Sequence, residues 1–355
     1  MLVLLTFSCQ EDNGYVPLDD DDQIQESPVN FDINLVPYPT LSEYNFFDGT
    51  ISDLNPVYGV LPYDLITPLF SDYAKKKRFI WMPNGVSANY VDDHSSLDFP
   101  TGTILIKNFY YDNVLPSNST KIIETRLMIK KDEGWIFANY KWNDEQTEAD
   151  FDINGSNVNI QWNELGQTKN VTYRVPSEAE CITCHKSLNT GFTTIGPKPQ
   201  NLNRTLVYNE GSKNQLQKWV ETGYLNNDYP EAIQTVVDWN DASQDLDLRI
   251  RSYLDINCAH CHSEGTYCFY RPLRLSYNET YDYNNIGVCV PPDDMYDSTM
   301  GLIVTPSNVY RSVLYDRLNT AEVNKRMPLL SRTLIHEEAV ILIENWINSL
   351  TDSCQ

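Results

Sequence analysis

Two short cysteine–histidine motifs constrain this chain more than any other feature of its sequence. Residues 181–185 read CITCH, and residues 258–262 read CAHCH. Each motif places two thiols three positions apart, with a histidine directly after the second thiol. A chain that brings two thiols and an imidazole to one centre must fold around that centre. The chemistry of the motifs therefore limits the folds that the chain can adopt.

Three chemistries use two cysteines at this spacing. A structural zinc ion shared between the motifs would take four thiolates and leave both histidines unexplained. A redox dithiol usually belongs to a thioredoxin-like unit, and the sequence has no such βαβ pattern. A c-type haem needs two thiols for its vinyl groups and a histidine at this position for its iron. The motifs therefore predict two haem c groups.

The predicted roles follow the motif residue by residue. The covalent attachment sites are Cys181, Cys184, Cys258 and Cys261. The proximal iron ligands are His185 and His262.

Met327 is the predicted sixth ligand of the second haem. It lies in KRMPLL at 325–330, where Pro328 stiffens the loop before a C-terminal helix. Methionine is a common partner of histidine in electron-transfer haems. Met295 and Met300 are weaker candidates, and the competing interpretation makes Met327 an ordinary core residue.

The first haem has no comparable partner in the sequence. No methionine lies between His185 and Met295. His94 and His336 are interpreted as surface residues, and His260 is expected to point away from the iron of its own motif. The sixth position of the first iron is therefore left unassigned, with an open position as one interpretation.

The N-terminus predicts export. MLVLLTFSC at 1–9 is similar to the end of a bacterial lipoprotein signal, with Cys9 as the lipidation candidate. Its apolar stretch is short and a positive n-region is missing, so we expect the true start to differ; an ordinary N-terminus is the alternative. The acidic residues 10–30 show no hydrophobic period and are predicted to be a disordered tether. The expected location is the periplasm or the outer membrane, with only a lipid anchor in the bilayer.

Three cysteines remain after these assignments. A disulfide between Cys268 and Cys289 is plausible outside the cytoplasm and would contribute roughly 3 kcal/mol by loop closure. Cys354 is then left without an assigned partner.

Charge limits the possible partners. Lysine and arginine number 26 against 49 acidic residues, which gives a formal net charge of −23. Nucleic-acid binding requires a basic surface and is excluded. A redox partner protein or a dehydrogenase that docks by charge should present a basic face.

The predicted fold class is α+β with several domains. Residues 31–172 contain strand-like segments at 101–111, 120–131, 134–143 and 158–165, separated by turn residues, which predicts an antiparallel sandwich or barrel. Residues 173–240 form the predicted first haem segment, and 241–355 a second, cytochrome c-like domain. Both are expected to be mainly α-helical, with helices near 177–185, 214–225, 245–257 and 339–350. Ser177 and Glu180 have the spacing of a capping box, which predicts that the first of these helices starts there.

Several longer stretches resemble a family of exported diheme c-type cytochromes. They include PLFSDYAKKKRFIWMPNG (68–85), YRVPSEAECITCH (173–185), GPKPQNLNR (196–204) and the C-terminal KRMPLLSRTLIHEEAVILIENWINSL (325–350). The resemblance covers most of 31–350. It implies a β domain followed by two cytochrome c-like segments, with Met327 and both CxxCH motifs in their usual roles. The N-terminus resembles Bacteroidetes-type envelope lipoproteins.

The expected function is electron transfer in the bacterial envelope. A diheme peroxidase that uses an open position at the first haem is the enzymatic alternative, and a binding module in the β domain is a third. Arg271 and Arg274 are interpreted either as partners of haem propionates or as a solvated basic pair.

Overall fold

The structure, a computed structural model, describes residues 26–295, 297–351 and 354. Long strands occupy the first half of the chain, and short hairpins recur in the second. Over this part of the chain the strands are β1 (Phe47–Asp48), β2 (Asn55–Pro56), β3 (Leu61–Tyr63), β4 (Lys75–Trp81), β5 (Ile104–Val114), β6 (Ser119–Lys131), β7 (Gly134–Trp142), β8 (Ala149–Phe151), β9 (Ser156–Glu164), β10 (Gln167–Val175), β11 (Lys186–Ser187), β12 (Gly191–Phe192), β13 (Thr205–Tyr208) and β14 (Gly211–Asn214).

The α-helices all follow the long strands, and most are short. They are α1 (Glu178–His185), α2 (Pro199–Leu202), α3 (Gln215–Glu221), α4 (Leu246–Leu254), α5 (Tyr283–Ile286), α6 (Val313–Leu318) and α7 (Glu337–Ser349). A π-helical turn, Asp255–Ala259, continues α4, and 3-10 turns lie at Ser42–Tyr44, Ile51–Asp53 and Val309–Arg311. Among the described residues no helix has both the length and the apolar character needed to cross a membrane.

Strands β3 to β10 form one antiparallel sheet of eight strands. Its order is β10–β9–β5–β6–β7–β8, with β4 paired to β5 and β3 paired to β4. Alternating β-branched and aromatic residues build the central strands, because their side chains pack well on a pleated surface. The strands predicted at 101–111, 120–131, 134–143 and 158–165 are confirmed as β5, β6, β7 and β9.

The two faces of the sheet are covered by different parts of the chain. On one face, Ile104 and Ile106 pack against the N-terminal loops through residues such as Tyr44. On the other face, Leu105 belongs to a core that includes Trp219 of α3. This second face is the one that the C-terminal half of the chain covers.

The N-terminal predictions fall largely outside the described residues. Cys9 and residues 10–25 of the predicted tether are in that part. Residues 26–30 lie against the sheet domain, where Ser27 Oγ accepts a hydrogen bond from Trp81 Nε1 at 3.0 Å.

A second core joins the helices near the C-terminus. Ile250 and Leu254 of α4 pack with Ile343, Trp346 and Ile347 of α7, and all five are buried. The predicted helices at 214–225, 245–257 and 339–350 are confirmed as α3, α4 and α7, with shorter bounds in the first two.

The predicted fold class was wrong. The second half of the chain is not mainly α-helical: turns, loops and the hairpins β11–β12 and β13–β14 separate short helices. An apolar stripe of helical period occurs only over α4 and α7, and the segments between them are rich in Asp, Asn, Tyr and Pro, which favour turns. The N-terminal region is β-rich as predicted: one sheet of eight strands carries loops on one face, and its β9–β10 hairpin shares a core with β5 and β6.

A candidate haem site

The first motif lies on α1, whose start is fixed by a charged cap. Glu180 Oε2 accepts hydrogen bonds from the Ser177 backbone N–H at 2.8 Å and from the Ser177 hydroxyl at 3.0 Å. Arg174, at the end of β10, pairs with the same carboxylate at 2.8 Å. The capping-box spacing in the sequence correctly predicted this start. The ion pair also attaches the motif helix to the large sheet.

His185 is held by its backbone surroundings in one orientation. Its Nδ1–H donates to the carbonyl oxygen of Thr193 at 2.8 Å, and its ring centroid is 5.1 Å from that of Phe137. Burial lowers the pKa of His185 to about 4, so the ring is neutral near pH 7. A metal-binding histidine commonly donates its other ring nitrogen in this way, which leaves Nε2 free for the metal.

The second motif begins in the π-helical turn after α4, and distant segments hold that turn. The buried carboxylate of Asp255 accepts bonds from Lys198 Nζ and from the Tyr277 N–H, both at 3.0 Å. Asn257 Oδ1 accepts a bond from the Phe70 N–H at 2.8 Å. The turn that delivers the second motif is therefore fixed by contacts with both halves of the chain.

His262 is half-buried and is less constrained than His185. Its carbonyl oxygen accepts a bond from the Leu275 N–H at 2.8 Å. Its Nδ1 has no hydrogen-bond partner among the described residues. Burial lowers the pKa of His262 to about 4, so this ring is neutral as well.

The two motifs open into one cavity. Its volume is about 710 Å³, within the range of sites that enclose small molecules and cofactors. Cys184 of the first motif lines this cavity together with His260 and Cys261 of the second, and its thiol interacts electrostatically with both. The predicted site residues that line the cavity are Cys181, Cys184, His185, Cys258, Cys261, His262 and Met327. Four thiols and two neutral imidazoles facing a common, largely apolar space fit the attachment of two c-type haems.

Met327 is held by a buried arginine that the sequence analysis did not identify. Arg332 is only 4% exposed, and its Nε donates to the Met327 carbonyl oxygen at 2.9 Å. Its Nη2 donates to the carbonyl oxygens of Arg317 at 2.9 Å and Thr320 at 3.0 Å. No spacing rule marks this arginine, because its role depends on the folded loop.

Asp72 of the sheet domain holds the other end of the Met327 loop. Its Oδ1 accepts bonds from the N–H groups of Thr333 at 2.7 Å and Leu334 at 2.8 Å, and its Oδ2 accepts the Thr333 hydroxyl at 2.9 Å. The Asp72 carbonyl oxygen accepts the Tyr111 hydroxyl at 2.6 Å. The sheet domain thus takes part in positioning the loop that carries the predicted sixth ligand.

His336 is not a surface residue, contrary to the sequence-based interpretation. Its ring stacks on Phe70 at 3.9 Å between centroids and meets the edge of Trp239 at 4.9 Å. Its Nδ1 lies 3.2 Å from the Tyr253 hydroxyl oxygen. The prediction was wrong because residues from three separate segments enclose this ring. His336 lines the cavity.

The remaining candidates for iron ligands are placed differently. His260 lines the cavity and interacts electrostatically with Cys184 of the other motif. Met295 is exposed and, like Met300, is not among the residues that line the cavity. The sixth position of the first iron stays unassigned.

The predicted Cys268–Cys289 disulfide was wrong. Cys289 is bonded to Cys354, with the two Cα atoms 5.3 Å apart. Cys289 packs against the C-terminal core beside the end of the chain, whereas Cys268 follows the second motif and lines the cavity with a free thiol. The Cys268 N–H bonds to the Cys261 carbonyl oxygen at 2.9 Å, which keeps it near the motif.

Arg271 and Arg274 both have carboxylate partners within the chain. Arg271 pairs with Asp293 at 3.3 Å and Asp294 at 2.5 Å, and Arg274 pairs with Glu264 at 3.1 Å. These pairs favour the solvated basic pair over a role at haem propionates.

Within the described part of the chain, no group of three or more His, Cys, Asp and Glu side chains is arranged to hold a metal ion. Comparison of the chain with models of protein families, with curated proteins and with solved structures finds no match in any of the three.

Proposed function

We propose that this protein is a diheme c-type cytochrome that transfers single electrons in the bacterial cell envelope. The observation that carries the proposal is the meeting of two CxxCH motifs in one cavity. Each motif supplies two thiols and a neutral imidazole, the set that covalent haem attachment requires. Bound haem c supplies a centre that gains and loses one electron.

The protein's own contribution is to hold the ligating groups still. Thr193 fixes the tautomer and orientation of His185, and the Glu180–Arg174 pair fixes the helix beneath it. Arg332 and Asp72 fix the two sides of the Met327 loop. Groups held in this way move little when the charge of a bound centre changes, and such rigidity favours electron transfer.

The proposal does not depend on a helical cytochrome domain. One wall of the cavity belongs to the large sheet, through residues such as Leu105 and Phe137. The opposite wall belongs to loops and to short helices around Leu273 and Leu314. The proposed function rests on the motif residues and their geometry, since a fold class alone does not specify chemistry.

Cys184 and Cys261 line the same cavity and interact electrostatically, so the two proposed attachment sites are close to each other. This adjacency supports electron exchange within the protein. The net charge of −23 favours a redox partner, such as a dehydrogenase, that presents a basic docking face. The lipoprotein signal expected at Cys9 would tether the protein to a membrane.

Haem content tests the proposal directly. The protein is exported in a host that matures c-type cytochromes, and the mass of the denatured chain is compared with its haem absorbance. We expect two covalent haems in the natural sequence. The pair Cys181→Ala and Cys184→Ala should carry one, as should the pair Cys258→Ala and Cys261→Ala.

Cys268→Ala is the matched control, because its thiol lines the same cavity outside the motifs. It should retain both haems. A natural chain of unmodified mass would refute the proposal, as would loss of a haem in the Cys268 variant. A reversible redox titration, with spectra unchanged by peroxide, is expected of a carrier; peroxide-dependent oxidation of a donor would replace that role with an enzymatic one.

A further inference from the structure

A row of positive charges crosses the face of the sheet that looks into the cavity. Arg78 of β4, Lys107 of β5 and Arg126 of β6 are direct cross-strand neighbours. Lys107 and Arg126 line the cavity. Three adjacent cations on one inward face stand out in a chain with a net charge of −23. Like charges placed opposite each other on a sheet destabilise it, so this row needs compensation.

Two members of the row have that compensation within the chain. Arg78 Nη1 pairs with Asp64 at 2.7 Å, and Arg126 Nε donates to Glu124 at 3.0 Å. Lys107 differs from both. It has no hydrogen bond or ion pair among the described residues, and the contact of its ammonium is with the ring face of Phe109, 5.0 Å from the centroid.

The carboxylates that line the cavity are already engaged. Glu180 is bound by Arg174 and by Ser177. Asp293 and Asp294 are both paired with Arg271. None of these cavity-lining carboxylates pairs with Lys107, so its ammonium is available to an anion bound in the cavity.

The surroundings of Lys107 disfavour its protonated state. Burial, with the nearby charges of Arg78, Lys76 and Arg126, lowers the pKa of Lys107 well below its ordinary value, and the opposing effect of Glu124 is smaller. A carboxylate bound beside the ammonium would counteract this effect, because an opposite charge stabilises the charged form.

The register of the sheet places Lys107 near the first motif. Arg126 of β6 lies opposite Lys107 of β5 on one side and opposite Asn139 of β7 on the other. Asn139 is two residues from Phe137 on the same face, and the ring of Phe137 contacts that of His185. Asn139 is also buried, and its Oδ1 has no hydrogen-bond partner within the described residues. This wall of the cavity therefore has a second polar atom available to a bound molecule.

We propose that Lys107 is the counterion for a propionate carboxylate of the haem attached at CITCH. The inference rests on the proposed function and extends it: the sheet domain is a wall of the haem site, with a charged contact of its own. It also supplies the basic group that Arg271 and Arg274, already paired, do not supply.

Reduction potentials and resonance Raman spectra of the loaded protein test this assignment. Lys107→Met removes the charge, and Lys107→Arg keeps it. Lys77→Met is the matched control, since Lys77 is the exposed neighbour of the row on β4. In Lys107→Met we expect a lower potential for one haem, because the uncompensated carboxylate favours ferric iron, and a shift of that haem's propionate bands.

The Arg variant and the Lys77 control should retain the natural potentials and spectra. Unchanged potentials and propionate bands in Lys107→Met would overturn the assignment. A change from low to high spin would overturn it in another way, because it would make Lys107 an iron ligand. A natural chain that contains no covalent haem would refute the proposed function and this inference with it, whereas loaded variants that do not respond would refute the inference alone. If the Met variant does not fold, Lys107→Gln serves in its place.

Discussion

Replacing Asp72 should loosen the Met327 loop and destabilise the protein. This carboxylate accepts three hydrogen bonds from Thr333 and Leu334, at 2.7 to 2.9 Å, and the side chain is buried. Hydrogen bonds to a charged group contribute about 1.5–3 kcal/mol each, so three give at most about 5–9 kcal/mol. Thr333 and Leu334 are only partly buried, and water can replace some of these bonds. We expect Asp72→Ala to lower the free energy of unfolding by about 3–4 kcal/mol.

Asp72→Asn removes the charge of this side chain but keeps a residue that tolerates the backbone conformation at position 72. Asp72 has a φ of 49°, a left-handed conformation that asparagine tolerates and alanine disfavours by about 1 kcal/mol. The Asn side chain keeps one oxygen for the two N–H donors, while Thr333 can rotate its hydroxyl to accept instead. We expect a loss of about 1–2 kcal/mol for Asn, smaller than that for Ala.

Urea unfolding followed by tryptophan fluorescence measures both losses in free energy. Asp112→Ala is a suitable control, because Asp112 is a partly exposed residue of β5 whose ion pair with Lys75 lies near the surface. Such pairs contribute about 0–1 kcal/mol. Equal stability of the Asp72→Ala and natural proteins would refute the argument that Asp72 secures this loop. A larger loss for Asn than for Ala would refute the argument from the left-handed backbone.

Three further predictions concern the same site. Met327→Ala should lower the potential of the haem bound by His262 and abolish its iron–sulfur charge-transfer band, measured by redox titration and absorption; an unchanged band would exclude Met327 as the ligand. Cys354→Ser should lower the free energy of unfolding by roughly 4 kcal/mol, since the bond to Cys289 closes a loop with a sequence separation of 65 residues; equal stability with and without reductant in the natural protein would contradict this. The pKa of Glu180 is lowered, because its hydrogen bonds to basic and hydroxyl groups outweigh the effect of burial. The ionised carboxylate therefore stabilises the folded protein at pH values above the ordinary pKa of glutamate, and this stabilisation is lost as the pH falls through the lowered pKa. In acid titrations of stability, Glu180→Gln should remove that part of the pH dependence, and an unchanged profile would count against it.

Local sequence patterns predicted those parts of the fold that local forces determine. Alternation identified the long central strands, and the spacing of Ser177 and Glu180 identified the start of α1. The helical stripe over α7 was equally clear. In each case the side chains that determine the element are close together in sequence.

The incorrect predictions concern contacts between distant segments. His336 was placed on the surface because its neighbours in sequence do not show that Phe70 covers it. The pairing of Cys289 with Cys354 depends on where the chain ends in space, and spacing alone does not determine disulfide connectivity. The second half of the chain was expected to be mainly helical because four helical segments, together with the resemblance to diheme cytochromes, were taken to represent the whole. Its loops are instead fixed by buried groups such as Arg332, which bonds to four carbonyl oxygens.

The link between Asp72 and the loop at Thr333 also constrains the order of assembly. The hydrogen bond between Asp72 and Thr333 joins groups far apart in the chain, so it cannot form until nearly the whole chain has been synthesised. The same holds for the stacking of Phe70 on His336. The upstream residues must therefore wait for the last segment before the cavity closes. Under the proposed function, covalent attachment of haem would take place in that interval, while both cysteine pairs are accessible.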